Sequence, residues 1–171
     1  MENQLIIIDG SSMLVTAYYG NLPKALLFEK DPEKKKELYS QIMKNEHGRY
    51  TNALYVMCRT LDKIMAEQKP SHIAIVFDTT RDTFRREIYP EYKGNRGETP
   101  EPLKEQFISA EKMLHEMGYP VFFSTEYEAD DLAGSLAKRF ESEIPVRIIT
   151  KDHDYLQLVT DNTLLWLLQK D

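Results

Sequence analysis

A single cysteine, Cys58, stands among 171 residues, so no disulfide can form within the chain. One reduced thiol set among helix-spaced apolar positions reads as a buried structural residue and fits a reducing compartment. No apolar run is long enough to cross a bilayer as a helix. The N-terminus lacks a basic segment followed by a long apolar stretch, so it does not read as a signal peptide. These absences exclude a membrane partner and make the cytoplasm the expected location. No His-x-x-His or cysteine pair supports a zinc site, and no internal repeat or low-complexity segment is evident. The net charge of −6 argues at first against a nucleic-acid partner. Net charge describes the whole surface, however, and a local basic patch can still meet phosphate.

What the chain does have is a set of acids in telling positions. Leu5-Ile6-Ile7-Ile8 ends in Asp9, and Ile73-Ala74-Ile75-Val76-Phe77 ends in Asp78. Val146-Arg147-Ile148-Ile149-Thr150 is followed by Asp152 and Asp154, and Glu128-Ala129-Asp130-Asp131 opens a helix after Val121-Phe122-Phe123. In an open parallel α/β sheet the carboxyl ends of the strands form the ligand crevice. Acids distant in sequence could therefore meet there. Their mutual repulsion would call for cations, and an all-oxygen donor set suits Mg²⁺ or Mn²⁺. Two such ions about 4 Å apart can activate water and stabilise a leaving oxygen in phosphodiester hydrolysis.

Strand-like runs at 5–8, 72–77, 120–124, 146–150 and 163–167 alternate with helical patterns, which predicts crossover units and a mostly parallel sheet. Leu54, Met57, Leu61, Ile64 and Met65 form one helical face that must end near Lys69-Pro70. Thr99 is the expected N-cap of a helix carrying Leu103, Phe107, Ala110, Leu114 and Met117, with Gly118 as its stop. Ala129, Leu132, Ala133, Leu136, Ala137 and Phe140 make a third stripe. Within residues 21–50, the charged run 31–37 reads as a solvated helix. Residues 79–98 lack periodicity, and a connection of that length is usually functional or mobile.

Each acid also has a local structural reading. Asp9 can lead into a helix, and Asp78 can cap the following loop. Thr125-Glu126-Tyr127-Glu128 has the form of a capping box. Asp130 and Asp131 suit a first helical turn, and Asp152-His153-Asp154 suits a polar turn. Glu128, Asp130 and Asp131 can converge only if Glu128 lies at or before the cap. The joint pattern is harder to explain by local structure alone. His47, His72, His115 and His153 carry no comparable signal.

Basic side chains alternate with aromatic ones over residues 81–96. Arg81, Arg85, Lys93 and Arg96 can contact phosphates, and Phe84, Tyr89 and Tyr92 can stack on unpaired bases. The segment follows Asp78 directly, so it is expected to overhang the acidic crevice. An exposed charged loop whose aromatics pack on the body is the competing reading.

LIIIDGSSMLVTAYY (residues 5–19), VFDTTRDTFRREIYPEYKGNR (76–96), EADDL (128–132) and ITKDHDYLQLV (149–159) resemble, in collinear order, the 5′–3′ exonuclease domain of bacterial DNA polymerase I and the related flap endonucleases. The resemblance implies an α/β, PIN-like (resolvase-like) nuclease fold with a mostly parallel central sheet flanked by helices. A helical arch would cover about residues 79–99. The implied activity is metal-dependent cleavage of DNA with a 5′ flap or free 5′ end, in replication or repair. By motif position, Asp9, Asp78, Glu128, Asp130 and Asp131 would hold metal, with Asp152 and Asp154 serving a second of two Mg²⁺ or Mn²⁺ ions. Arg85, Tyr89, Lys93 and Arg96 would engage DNA near the scissile phosphate, and Lys93 and Arg96 would offset charge in the transition state. The full-length partner of such a domain can be a polymerase domain.

The chain departs from the family pattern at several points. Thr16 stands where the family often has arginine, and Lys151 stands where the last acidic motif usually has glycine. Residues 21–50 look longer than the matching segment. The downstream Gly-Asp-x-Ser-Asp-Asn motif and the helix-three-turn-helix are not found before Asp171. Residues 1–171 thus read as the N-terminal catalytic part, with weak or lost activity expected in isolation. A non-cleaving DNA-binding module of the same fold is the alternative, and a PIN-type ribonuclease a more distant one. A haloacid-dehalogenase phosphatase would need an acid where Ser11 stands. A receiver domain would need paired acids after the first strand.

Overall fold

The structure, a computed structural model, describes residues 2–78, 88 and 98–168. Five parallel strands form one sheet: β1 (Glu2–Asp9), β2 (Pro70–Asp78), β3 (Val121–Ser124), β4 (Val146–Thr150) and β5 (Thr163–Leu167). Their spatial order is β3-β2-β1-β4-β5. The expected α/β class and parallel sheet are borne out, with β1 and β2 running longer than their apolar cores alone. The helices are α1 (Gly10–Gly20), α2 (Lys24–Phe28), α3 (Pro32–Leu38), α4 (Asn52–Gln68), α5 (Glu101–Glu116) and α6 (Ala129–Phe140). Single 3₁₀ segments occupy Tyr39–Gln41 and His153–Leu158.

The central strand explains the layering. Ile6 and Ile8 face one side, where they pack with Ile75, Phe77 and Ile149 against α1, α4 and α5. Leu5 and Ile7 face the other, with Ala74, Val76 and Ile148 beneath Ala129, Ala133 and Ala137 of α6. Strands covered on both faces read as continuous apolar runs, not as alternating ones. Helix α3 has no buried residue, matching the solvated helix expected there.

Two chain reversals follow local chemistry. Lys69 ends α4 in the left-handed conformation at φ 43°, and Gly118, at φ 83°, follows the end of α5. The cap of α5 differs from expectation. Pro100 stands in the cap position and makes no side-chain cap bond, with Pro102 in the first turn. Proline's fixed φ starts a helix without needing an N–H partner, so Thr99 falls one residue outside.

The chain builds β1, β2 and β3 towards one edge of the sheet, then returns to place β4 and β5 on the other side of β1. The strand order therefore reverses between β1 and β4, and the crevice of such a sheet opens at that point, beyond the carboxyl ends. Asp9 ends β1 there. Gly10 lets the chain turn into α1 at once: a Cβ on it would lie 2.6 Å from the Phe77 ring and 2.9 Å from Ile75.

Candidate metal centre

Asp9 sits at the base of the crevice and is 5% exposed. It is the N-cap of α1, and its Oδ1 accepts from the Ser12 N–H at 2.9 Å. Its Oδ2 accepts from the Thr150 hydroxyl at 2.8 Å, which ties β1 to β4. Burial pushes the Asp9 carboxyl up to about 6, and the charge of Asp78 adds to that, against the opposing hydrogen bonds from Ser12 and Thr150.

Asp78 ends β2 and is exposed. Its Oδ1 accepts from the Ala129 N–H at 2.7 Å, so it caps α6 from another strand; the loop that follows it lies outside the described residues. Glu128 is the N-cap of α6 and 6% exposed. Its N–H donates to Asp131 Oδ2 at 3.0 Å. The capping box therefore runs from Glu128 to Asp131, not from Thr125 to Glu128. Glu128 at the cap is the placement that convergence of the three acids requires. Asp130 accepts from the Asp131 N–H at 2.9 Å.

Beyond β4, Asp152 caps the 3₁₀ segment by accepting from the Asp154 N–H at 2.9 Å. Asp130, Asp131 and Asp154 line a cavity of about 740 Å³ between α6 and that segment, together with Tyr155, Lys138 and Gln157. Lys138 and Arg139 pair with Glu141 and Glu143 at 3.2 and 2.9 Å.

Hydroxyl groups that the sequence reading did not single out hold the crevice in register. Ser11 Oγ accepts from the Asp78 N–H at 2.8 Å, and Ser12 Oγ accepts from the Lys151 N–H at 2.9 Å. The first turn of α1 thereby clamps the ends of both strands flanking β1. Thr150 Oγ1 also accepts from the Asp152 N–H at 3.1 Å. Two serines just past Asp9-Gly10 were the available signal. Thr150 and Tyr155 carried none.

Asp9 and Asp78 thus act on each other at the strand ends, while Asp130, Asp131 and Asp154 line one cavity. Among the described residues, no three acidic, histidine or cysteine side chains stand close enough to enclose one ion. Like charges keep apart, and most of these carboxylates are engaged by backbone N–H groups. Each carboxylate oxygen has two lone pairs, so capping leaves acceptor capacity. The donor set is oxygen throughout, and the buried Tyr155 hydroxyl beside Asp9 has no hydrogen-bond partner. That chemistry fits a hard divalent cation. Arg81, Phe84, Arg85, Tyr89, Tyr92, Lys93 and Arg96 lie outside the described residues.

The model of the 5′-3′ exonuclease N-terminal resolvase-like domain matches residues 4–171. DNA polymerase I of Bacillus caldotenax is 35% identical over 171 residues, covering 99% of this chain and 17% of that protein. DNA polymerase I of Mycobacterium bovis is 35% identical over 159 residues, covering 92% of this chain and 16% of that protein. The chain therefore spans about one sixth of the length of these relatives. A bacteriophage T5 flap endonuclease, solved as a pseudo-enzyme–product complex with DNA and metal ions, shares the fold at a TM-score of 0.64 and 23% identity. The match covers 96% of this chain and 55% of that one. The T5 5′-exonuclease with bound zinc ions aligns at a TM-score of 0.60 and 22% identity over 94% of this chain and 54% of that one. With the sheet order, the acid crevice and a family match spanning nearly every residue, the chain belongs to the 5′-3′ exonuclease N-terminal resolvase-like domain family.

Proposed function

We propose that residues 1–171 form the N-terminal catalytic domain of a divalent-metal-dependent 5′ nuclease. It would hydrolyse phosphodiester bonds in DNA with a 5′ flap or free 5′ end. The observation that carries this reading is the buried Asp9 at the strand-order reversal, with the Asp78 charge and the Thr150 hydroxyl acting on it. Asp9, Asp78, Glu128, Asp130 and Asp131 would hold a first Mg²⁺ or Mn²⁺, and Asp152 and Asp154 would serve a second. Bound there, such cations supply Lewis acidity to the phosphate and its attacking water.

The chain's own residues do the rest. Ser12 and Thr150 fix the Asp9 carboxylate, and Ser11 fixes the end of β2. Arg81, Phe84, Arg85, Tyr89, Tyr92, Lys93 and Arg96 would grip phosphates and stack on bases in an arch over about residues 79–99. Lys93 and Arg96 would offset charge that builds on the phosphate. The DNA polymerase I relatives support a polymerase domain in the full-length protein and a role in replication or repair. Among the described residues no helix is long and apolar enough to cross a membrane; a cytoplasmic setting would suit a domain akin to that of DNA polymerase I. The wide spacing of the acids favours a second reading, a DNA-binding module that does not cleave.

Cleavage of a 5′-labelled flap DNA in Mn²⁺ tests the choice. Residues 1–171 should cut weakly at most, a version extended through the downstream aspartates should cut faster, and Asp130→Asn should lower the rate of either at least 100-fold. Binding of the flap without any cutting, by the extended version as well, would move the assignment to the second reading.

A further inference from the structure

Among the described residues, Tyr155 is the one buried side chain whose polar atom lacks a hydrogen-bond partner. It is 2% exposed, and its ring packs with Leu5, Ile7, Ala129 and Ala133. The hydroxyl end faces Asp9, with Asp130 and Asp78 also close enough to act on it. It favours the Asp9 charge as a donor within reach, yet its geometry falls short of a formed hydrogen bond. Burial first, and then these carboxylates, push the phenol far above its usual range, so it keeps its proton. A phenyl ring would fill the same apolar site without leaving a buried hydroxyl unsatisfied, an arrangement that is destabilising. Among the described residues, the charged groups acting on it are the carboxylates of Asp9, Asp130 and Asp78, and Asp9 already accepts from Ser12 and Thr150.

We propose that Tyr155 is a positioning residue of the cation site, its hydroxyl becoming a third donor to Asp9 once that carboxylate is drawn onto a divalent cation. This rests on the cation reading above. Groups that orient metal ligands from outside the coordination sphere typically change affinity about 10- to 100-fold. The hydroxyl acts through Asp9, so its effect requires that carboxylate.

The test is Mn²⁺ binding, followed by the electron paramagnetic resonance signal of the free ion. Tyr155→Phe should bind Mn²⁺ at least about 10-fold more weakly. Without cation it should melt at the same or a higher temperature, because a buried orphan hydroxyl has gone. Tyr155→Met, which keeps apolar volume, should show the same loss of affinity and guards against misfolding of either variant. In an Asp9→Asn background, Tyr155→Phe should change affinity no further. Equal affinity of the unaltered chain and both Tyr155 variants would overturn the inference alone. No Mn²⁺ binding by the unaltered chain would overturn the cation reading, and the inference with it.

Discussion

At the scale of single residues, Asp9 concentrates the tension between stability and function. Its carboxyl rises from an ordinary 3.8 to about 6, chiefly through burial. A raised folded pKa means that the fold favours the protonated acid. The stabilisation is fully present below pH 3.8 and is lost as pH climbs through about 6. Over that window Asp9 costs the ion-free chain about 3 kcal/mol. Roughly half of this falls between about pH 5 and about pH 8. Urea unfolding of the ion-free protein should therefore show a loss of stability across that interval, and Asp9→Asn should remove about 1–1.5 kcal/mol of it. Asp9→Asn should also be the more stable protein at the higher pH. An unchanged pH slope in the variant would place the titrating group elsewhere.

The elements of secondary structure show which local signals sufficed and which did not. The stripes Leu54-Met57-Leu61-Ile64 and Ala129-Ala133-Ala137 located α4 and α6, because each buries one face on the sheet. The start of α4 was less legible, since its cap comes from another helix. Thr51 makes no side-chain cap bond. Instead the fully buried Gln106 of α5 accepts from the Ala53 and Leu54 N–H groups at 2.8 and 3.3 Å. Its amide donates to Asn52 at 2.8 Å, and Asn52 in turn reaches the Tyr18 carbonyl of α1 at 3.2 Å. Two buried amides thus tie three helices together on one face of the sheet. Gln106→Leu should destabilise the chain by about 2–4 kcal/mol, from a lost cap and stranded polar partners. Asn52→Ala should add much less than its own cost on top of that change. Additive losses in denaturant unfolding would show that the two amides act independently.

For the whole molecule, the sheet converts a scattered sequence signal into one crevice. Five apolar runs announced the strands, and the acids behind them announced the crevice, because strand ends in a parallel sheet share one edge. The sequence could not show the hydroxyl clamp of Ser11, Ser12 and Thr150, or the donor turned inward at Tyr155. Those contacts link residues as far apart as Asp9 and Thr150, and depend on the register that places Ile8 beside Ile149. The same convergence sets the Asp78 charge against buried Asp9 and turns Asp9, Asp130 and Asp78 on the Tyr155 hydroxyl. A ligand that binds only the folded state stabilises it by about 2.7 kcal/mol at 100 times its dissociation constant. In a domain of this size, 1 kcal/mol moves the melting temperature by about 2–4 °C. Saturating Mn²⁺ should therefore raise melting by roughly 5–10 °C near pH 8. Near pH 5 protons compete for Asp9, so the shift should be smaller, and Asp9→Asn should weaken it at both. A shift equal at the two pH values and indifferent to Asp9 would mean that the cation binds outside the crevice.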